Sequence, residues 1–444
     1  MKNWSKNLKT LAQIAMKINL QKYSEYKDSG VEWLGEIPNH WDLTRLGTRF
    51  EERKTKVSDK DFPPLSVTKN GTIPQLDSAA KSNDGDNRKL VKTGDFVINS
   101  RSDRKGSSGI AYQNGSVSLI YIVMEPKGIH SNYCNYLLKS YNFIEEFYRM
   151  GHGIVADLWT TRYDEMKAIM VGIPSCEEQT VIANFLDRKT VLIDQAVDIK
   201  QKQIELLKER RQILIHKAVT RGLNPNVKLK DSGVEWIGQI PEGWEVKRLK
   251  DVCCVNLNSL PENTNNNFEF NYVDIGSVTL ESGINNIEKF SFKSAPSRAR
   301  RIVKKGDTII STVRTYLKAI DFIDEVKSSY IYSTGFAVLE PKEFVFPEFL
   351  AYFVRSDAFT EQVTVNSKGM SYPAINSNDM SRLTVVHCGF DEQIQIVKYI
   401  ENATAKIATA ISLKEQEIEK LKEYKATLIN SAVTGKIKIS NYAK

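Results

Sequence analysis

Two stretches of this sequence combine the residue types that hold phosphate and reach base edges. Asn99-Ser100-Arg101-Ser102-Asp103-Arg104-Lys105-Gly106 and Ser311-Thr312-Val313-Arg314-Thr315-Tyr316-Leu317-Lys318 each follow a β-rich run that carries Gly-Asp, at Gly94-Asp95 and Gly306-Asp307. Guanidinium and ammonium groups among hydroxyls and amides are the donors that position a protein on a sugar-phosphate backbone and hydrogen-bond to bases. Arg101, Arg104, Lys105, Arg314 and Lys318 are therefore candidate nucleic-acid contacts. Charge around the second stretch is segregated: between positions 289 and 318 there are nine bases and one acid, Asp307. Such clustering is an electrostatic footprint for phosphate, and it adds Arg298, Arg300 and Arg301 to the candidates. Two Gly-containing loops, 149–163 and 367–378, supply Arg149, Lys368 and Tyr372 in second rank. Solvated loop charge is the alternative for any one of these residues. Their recurrence at equivalent places favours binding.

Catalytic chemistry is harder to assemble. The sequence has no G-x-x-x-x-G-K-[ST] loop for nucleotide phosphates, no G-x-G-x-x-G after a strand, and no Asn-Pro-Pro-aromatic run. Asp307 with Glu325-Val326-Lys327 is the nearest approach to a metal-dependent nuclease, yet an acid followed by Glu-x-Lys arises readily by chance in so charged a chain. Cys134, Cys176, Cys253, Cys254 and Cys388 show no C-x-x-C pairing, and the five histidines are dispersed, so neither a zinc site nor a Ser/His/Asp set is expected. No catalytic or metal residue is predicted.

The elements that must position the basic loops are duplicated. Residues 177–220 match 391–434 without a gap at a fixed offset, through Glu178-Gln179/Glu392-Gln393, Ile182/Ile396, Ile193/Ile407, Ile204/Ile418, Leu207/Leu421 and Leu214/Leu428. Neither copy holds Gly or Pro. Each keeps an apolar stripe at steps of three and four, which puts those residues on one helix face. Ile182, Leu186, Ile193, Ile204, Leu207 and Leu214 from one copy, with Ile396, Ile400, Ile407, Ile418, Leu421 and Leu428 from the other, are the predicted core of an antiparallel coiled coil. A second repeat, KDSGVEWLGEIP at 27–38 and KDSGVEWIGQIP at 230–241, is followed each time by Trp and then Arg-Leu. Its turn residues read as a rigid leader. Trp33, Trp41, Trp236 and Trp244 are expected to pin that leader by packing, with base stacking as the alternative.

The chain therefore divides into an extension at 1–25, a leader with a first globule at 26–176, a helix at 177–220, a linker, leader and second globule at 221–390, a second helix at 391–434, and a tail at 435–444. The fold class is α+β: two β-rich globules, each with one helical segment, separated by two long antiparallel helices, pseudo-two-fold within one chain. Residues 1–22 have helical spacing at Leu8, Leu11, Ile14 and Ile18 and read as a short amphipathic helix or extension, with membrane-surface binding as the alternative. The net charge of +8 lies outside the helices, which together are close to neutral. No apolar run of membrane-spanning length is present, and a cytoplasmic protein is expected.

In these features the sequence resembles the specificity (S) subunits of type I restriction-modification enzymes, from about Tyr23 onward. The resemblance rests on the leader and Trp-x-x-x-Arg-Leu elements, on Glu178-Gln179 and Glu392-Gln393 opening long helices, and on the duplicated globule-helix order. It implies target recognition domains at the two globules, each reading half of a bipartite asymmetric site in double-stranded DNA, and spacer helices between them. It further implies no catalysis and no cofactor in this subunit. Two methyltransferase (M) subunits would use S-adenosylmethionine on adenine N6, and motor-nuclease (R) subunits would use ATP and Mg2+. Residues 1–22 have no counterpart in the resemblance. A stand-alone nuclease and a structural adaptor that does not touch DNA are the competing functions.

Overall fold

The computed structural model describes residues 21–76, 85–153 and 159–439. The predicted helix at 1–22 therefore lies almost wholly outside the described residues. Two compact units emerge, one of Met1–Gln201 with Glu415–Lys444 and one of Lys202–Lys414. Each unit thus takes one half of each long helix.

Those helices run over Cys176–Arg221 and Phe390–Val433, 46 and 44 residues, as expected of duplicated stretches without Gly or Pro. At 1.5 Å per residue each extends roughly 65–70 Å. The first begins where Ser175 Oγ accepts the Glu178 N–H at 3.3 Å. Both end on a left-handed glycine, Gly222 (φ 69°) and Gly435 (φ 73°), where a side chain would be strained. Within the first unit the helices are antiparallel: Lys200 pairs with Glu417 at 2.5 Å and Asp194 with Lys425 at 2.7 Å. Ile182, Leu186, Ile193, Leu421 and Leu428 enter the hydrophobic core of that unit. In the second unit Ile396 and Ile400 share a core with Ala218 and Val219. Ile204, Ile407 and Ile418 are buried, whereas Leu207 and Leu214 are only half-buried and Ile215 is buried beside Leu214. Leu214 still packs against the core of the second unit.

The globules share a scaffold. In the first, a four-stranded antiparallel sheet has the order 108–110, 96–99, 121–126, 50–52. In the second the order is 320–322, 308–311, 336–341, 253–255, the same path through the sheet. Each leader folds as a two-stranded ribbon, Tyr26–Asp28 with Glu36–Pro38 and Leu229–Asp231 with Gln239–Pro241. Trp41 and Trp244 are buried beside it, so packing and not stacking on bases is their role. The strand after each leader pairs with the last strand of its globule, Asp42–Arg45 with Met170–Ile173 and Glu245–Arg248 with Thr384–His387. The second globule adds a four-stranded sheet, 288–291, 269–273, 331–333 and 299–302, in which one pair is parallel.

The helical segment predicted in each globule is split in two, Ser131–Lys139 and Tyr141–Arg149, then Pro347–Arg355 and Asp357–Asn366. A buried serine makes each break. Ser140 and Ser356 are extended, and their hydroxyls donate to the Leu137 and Phe353 carbonyls at 2.7 and 2.6 Å, closing the first helix of each pair.

The repeated Glu-Gln acquires a structural meaning. Gln179 and Gln393 are buried at the start of the long helices. Gln179 accepts the His130 N–H at 2.8 Å and donates to the Pro174 carbonyl at 3.0 Å. Gln393 accepts from Phe346 N–H and donates to the Cys388 carbonyl, both at 2.8 Å. Each glutamine therefore ties the first turn of its helix to the globule it leaves, satisfying buried and half-buried backbone groups.

Candidate nucleic-acid interface

Both basic stretches leave the same strand of the shared sheet, Phe96–Asn99 in the first unit and Thr308–Ser311 in the second. Each is then held by the second-rank loop of its own unit, a pairing that sequence reasoning did not connect. In the first unit Arg101 and His152 both form bridges with Thr160, Ser102 N–H donates to the Trp159 carbonyl at 3.0 Å, and Thr161 N–H to that of Ser100 at 2.9 Å. In the second, Val313 and Lys368 both bridge to Ala374, and Ile375 N–H donates to the Thr312 carbonyl at 2.8 Å. The two arrangements correspond step for step: a loop from the sheet, clasped at the neck of a second loop. The register also shows that Arg101 occupies the place of Val313, so the two interfaces are built alike and decorated differently.

In the first unit Arg101 and Arg104 are exposed. Arg101 has no acidic partner among the described residues, and Arg104 comes within 3.9 Å of Asp103. Lys105 is paired with Glu145 at 2.6 Å and lies 5.9 Å from the Tyr148 ring centre. Arg149 is gripped by both oxygens of Glu146 at 2.7 Å, which raises its pKa further. Burial pushes the Tyr148 phenol up, and it donates to the Asn99 carbonyl at 2.9 Å, supporting the strand end from beneath. Lys105, Tyr148 and Arg149 border a concavity of about 620 Å³, also lined by Trp33, Tyr141 and Trp159. Tyr141 and Trp159 are exposed aromatics that the sequence reading passed over. A tryptophan in a loop that starts Gly-His-Gly was the available signal. Residues 154–158 of that loop lie outside the described residues.

In the second unit the apparent excess of base is largely compensated from elsewhere in the sequence. Lys289 pairs with Glu269, Arg298 with Asp274, Lys304 with Glu340, Lys305 with Glu325, and Lys318 with both Asp357 and Glu361. Lys293, Arg300, Arg301 and Arg314 have no such partner among the described residues. Arg300 stacks on Phe292, 4.4 Å from the ring centre. Arg301 donates to Ser259 Oγ at 3.3 Å, its Nε–H is buried without an acceptor, and burial pulls its pKa down. Arg314 lies over the Tyr372 ring at 5.0 Å. Its backbone is left-handed (φ 51°, ψ 49°), as is that of Lys318 at the other end of the short turn (φ 47°, ψ 44°). One turn links these groups: Thr334 N–H donates to the Arg298 carbonyl, and Gly335 offers its carbonyl to the Thr312 N–H. Lys368 is exposed at the clasp, and beyond it Met370 and Tyr372 are fully or largely in solvent, as is Tyr316 on the facing loop.

The nuclease-like set does not converge. Asp307 is buried, accepts the Lys304 N–H at 2.7 Å, and is held by burial at a pKa of about 6. Glu325 is on the surface with Lys305, and Lys327 is engaged by Asp321 and Asp324. Asp95 holds the same turn in the first unit, accepting the Lys92 N–H at 2.8 Å, but there Arg53 clamps both its oxygens at 2.7 and 3.0 Å. The repeated Gly-Asp is thus a structural turn. Among the described residues no group of His, Cys, Asp or Glu is arranged to hold a metal ion, and no helix is long and apolar enough to cross a membrane.

Comparison with known proteins agrees with this arrangement. Residues 241–423 match the type I restriction modification DNA specificity domain. The type I restriction enzyme MjaVIII specificity subunit of Methanocaldococcus jannaschii is 23% identical over 448 residues, covering 96% of this chain and 99% of that protein. A chain solved in a study of complex assembly and conformational transition of the type I R-M system superposes with a TM-score of 0.64 at 15% identity, covering 89% of this chain and 98% of its own. The HsdS subunit from Thermoanaerobacter tengcongensis gives 0.51 at 15% identity, covering 90% and 98%. At that identity the two structures show a common fold.

Proposed function

We propose that this chain, a member of the type I restriction specificity subunits, is the DNA-sequence reader of a restriction-modification complex. The observation that carries the reading is the clasp present once in each unit, a strand-end loop fastened to a second loop, with arginines lacking acidic partners beside exposed aromatics. Two interfaces of one build and unlike decoration suit a bipartite, asymmetric site in double-stranded DNA, one half to each unit. The long helices would set the spacer between the half-sites and dock two methyltransferase subunits, through which motor-nuclease subunits join. In that division of labour the chain is not itself a catalyst. S-adenosylmethionine serves the methyltransferase subunits in methylating adenine N6, and ATP and Mg2+ serve the motor-nuclease. Its place is the cytoplasm, with the DNA.

The test is to map methylated adenines genome-wide in cells with and without this gene. A two-part motif that vanishes with the gene is the expected result; an unchanged methylation pattern refutes the reading. Cleavage of plasmid in Mg2+ by the purified chain alone would favour the stand-alone nuclease, and failure to bind duplex DNA would favour the adaptor. Removing seven residues, 201–207, with the matching seven from the other helix should shorten the spacer. A spacer of unaltered length would sink the ruler role.

A further inference from the structure

We infer that Arg314 reads a guanine through the major groove, and that Tyr372 is the positioning residue that fixes the plane of its guanidinium. The inference rests on the specificity-subunit reading and names the base class that one point of the second unit selects.

Three observations converge on this side chain. The first is backbone conformation. Among the described residues three non-glycine positions have positive φ, Asn256, Arg314 and Lys318, and two of them flank the single turn Thr315–Leu317. Left-handed backbone is unfavourable for long side chains and persists where surrounding contacts impose it, as at binding sites. The contacts are present: Thr315 N–H donates to the Pro373 carbonyl at 3.3 Å, Thr315 Oγ1 and Ser367 Oγ lie 2.8 Å apart, and Thr312 Oγ1 donates to the Gly335 carbonyl at 2.9 Å.

The second is charge. Lys318, four residues on, is neutralised by two carboxylates, whereas Arg314 has none among the described residues. Its partner is an aromatic face, 5.0 Å from ring centre to guanidinium carbon. A ring holds the group without occupying its N–H donors, which stay free for a ligand.

The third is setting. Arg314 and Tyr372 are both exposed, on two loops joined by backbone hydrogen bonds, and Met370 beside them has no cover at all. A phosphate would be served by any cation on a flexible stem. A strained backbone and an oriented plane serve a planar acceptor pair, and the O6/N7 edge of guanine is the base edge that takes a bidentate arginine.

The test uses the complete restriction-modification system in cells, with methylated adenines mapped for the wild type and for Arg314→Lys, Tyr372→Phe and Tyr372→Leu. Arg314→Lys keeps the charge and loses the plane. It should relax one G·C position in one half of the motif, with discrimination there falling about tenfold or more, while the other half stays intact and certifies a folded, assembled subunit. Tyr372→Leu should relax the same position, and Tyr372→Phe, which keeps the ring, should leave the motif as in the wild type. An unchanged motif with Arg314→Lys overturns the inference in favour of a phosphate contact. Relaxation at an A·T position, or loss of all methylation, overturns it too. A wild type with no gene-dependent motif would instead sink the specificity-subunit reading itself.

Discussion

Replacing Asp307 by asparagine should change how the stability of this chain depends on pH, and should change nothing about its reading of DNA. The carboxyl is 2% exposed and has the Lys304 N–H as its hydrogen-bond donor, and burial lifts its pKa from 3.8 to about 6. In the unfolded chain it would ionise near 4. Between about pH 4 and 6 the unfolded state has therefore lost a proton that the folded state still holds, so rising pH removes stability over that window and the loss is complete above it. The rise from 3.8 to about 6 corresponds to roughly 2–3 kcal/mol. Asparagine keeps an oxygen for the Lys304 N–H and does not titrate. The assay is urea unfolding of the wild type and Asp307→Asn at steps from pH 4 to 7.5, with the difference in unfolding free energy plotted against pH. The difference should rise by about 2 kcal/mol in favour of asparagine and level off above pH 6. A flat difference, or one that moves towards aspartate, refutes the argument from burial. Cells carrying the variant should keep the wild-type methylation motif; plasmid cleavage in Mg2+ by the purified wild-type chain that is lost in Asp307→Asn would revive Asp307 as a catalytic acid.

Other outcomes follow from particular contacts. Gln393→Ala strands the Phe346 N–H and the Cys388 carbonyl in the core and should cost about 3 kcal/mol, measured by chemical denaturation. Glu417→Gln removes an ion pair from the helix pair of the first unit, and since Glu417 is half in solvent the loss should stay within about 1 kcal/mol and shrink in high salt. Arg300→Ala, which deletes a cation without an acidic partner from the second unit, should lower the slope of log affinity against log salt for duplex DNA by about 1 and leave the methylation motif unaltered. A changed motif in that variant would mean that Arg300 touches a base.

The parts of this molecule that were legible in its sequence are those set by local periodicity. The long helices declared themselves through an apolar stripe free of Gly and Pro, and the leaders through turn residues repeated in order. What escaped depends on contacts between residues far apart in the chain. The cluster at 289–318 looked uncompensated because its acids, Glu269, Asp274, Glu340, Asp357 and Glu361, arrive from other strands and helices. The clasp between the sheet loop and its neighbour joins positions that no spacing rule connects. Ser140 and Ser356 broke helices that hydrophobic pattern alone would have run together.

The bridge between Lys368 and Ala374 has one more implication. Its two mutual hydrogen bonds, at 2.8 and 2.9 Å, close the neck of a loop whose outermost side chains, Met370 and Tyr372, make no part of the hydrophobic core. Substitutions at Met370 and Tyr372 fall on side chains the core does not need, so these positions can vary while the framework beneath is preserved. On the proposed reading, a protein built this way can acquire a new address on the chromosome by exchanging a handful of residues, without relearning how to fold.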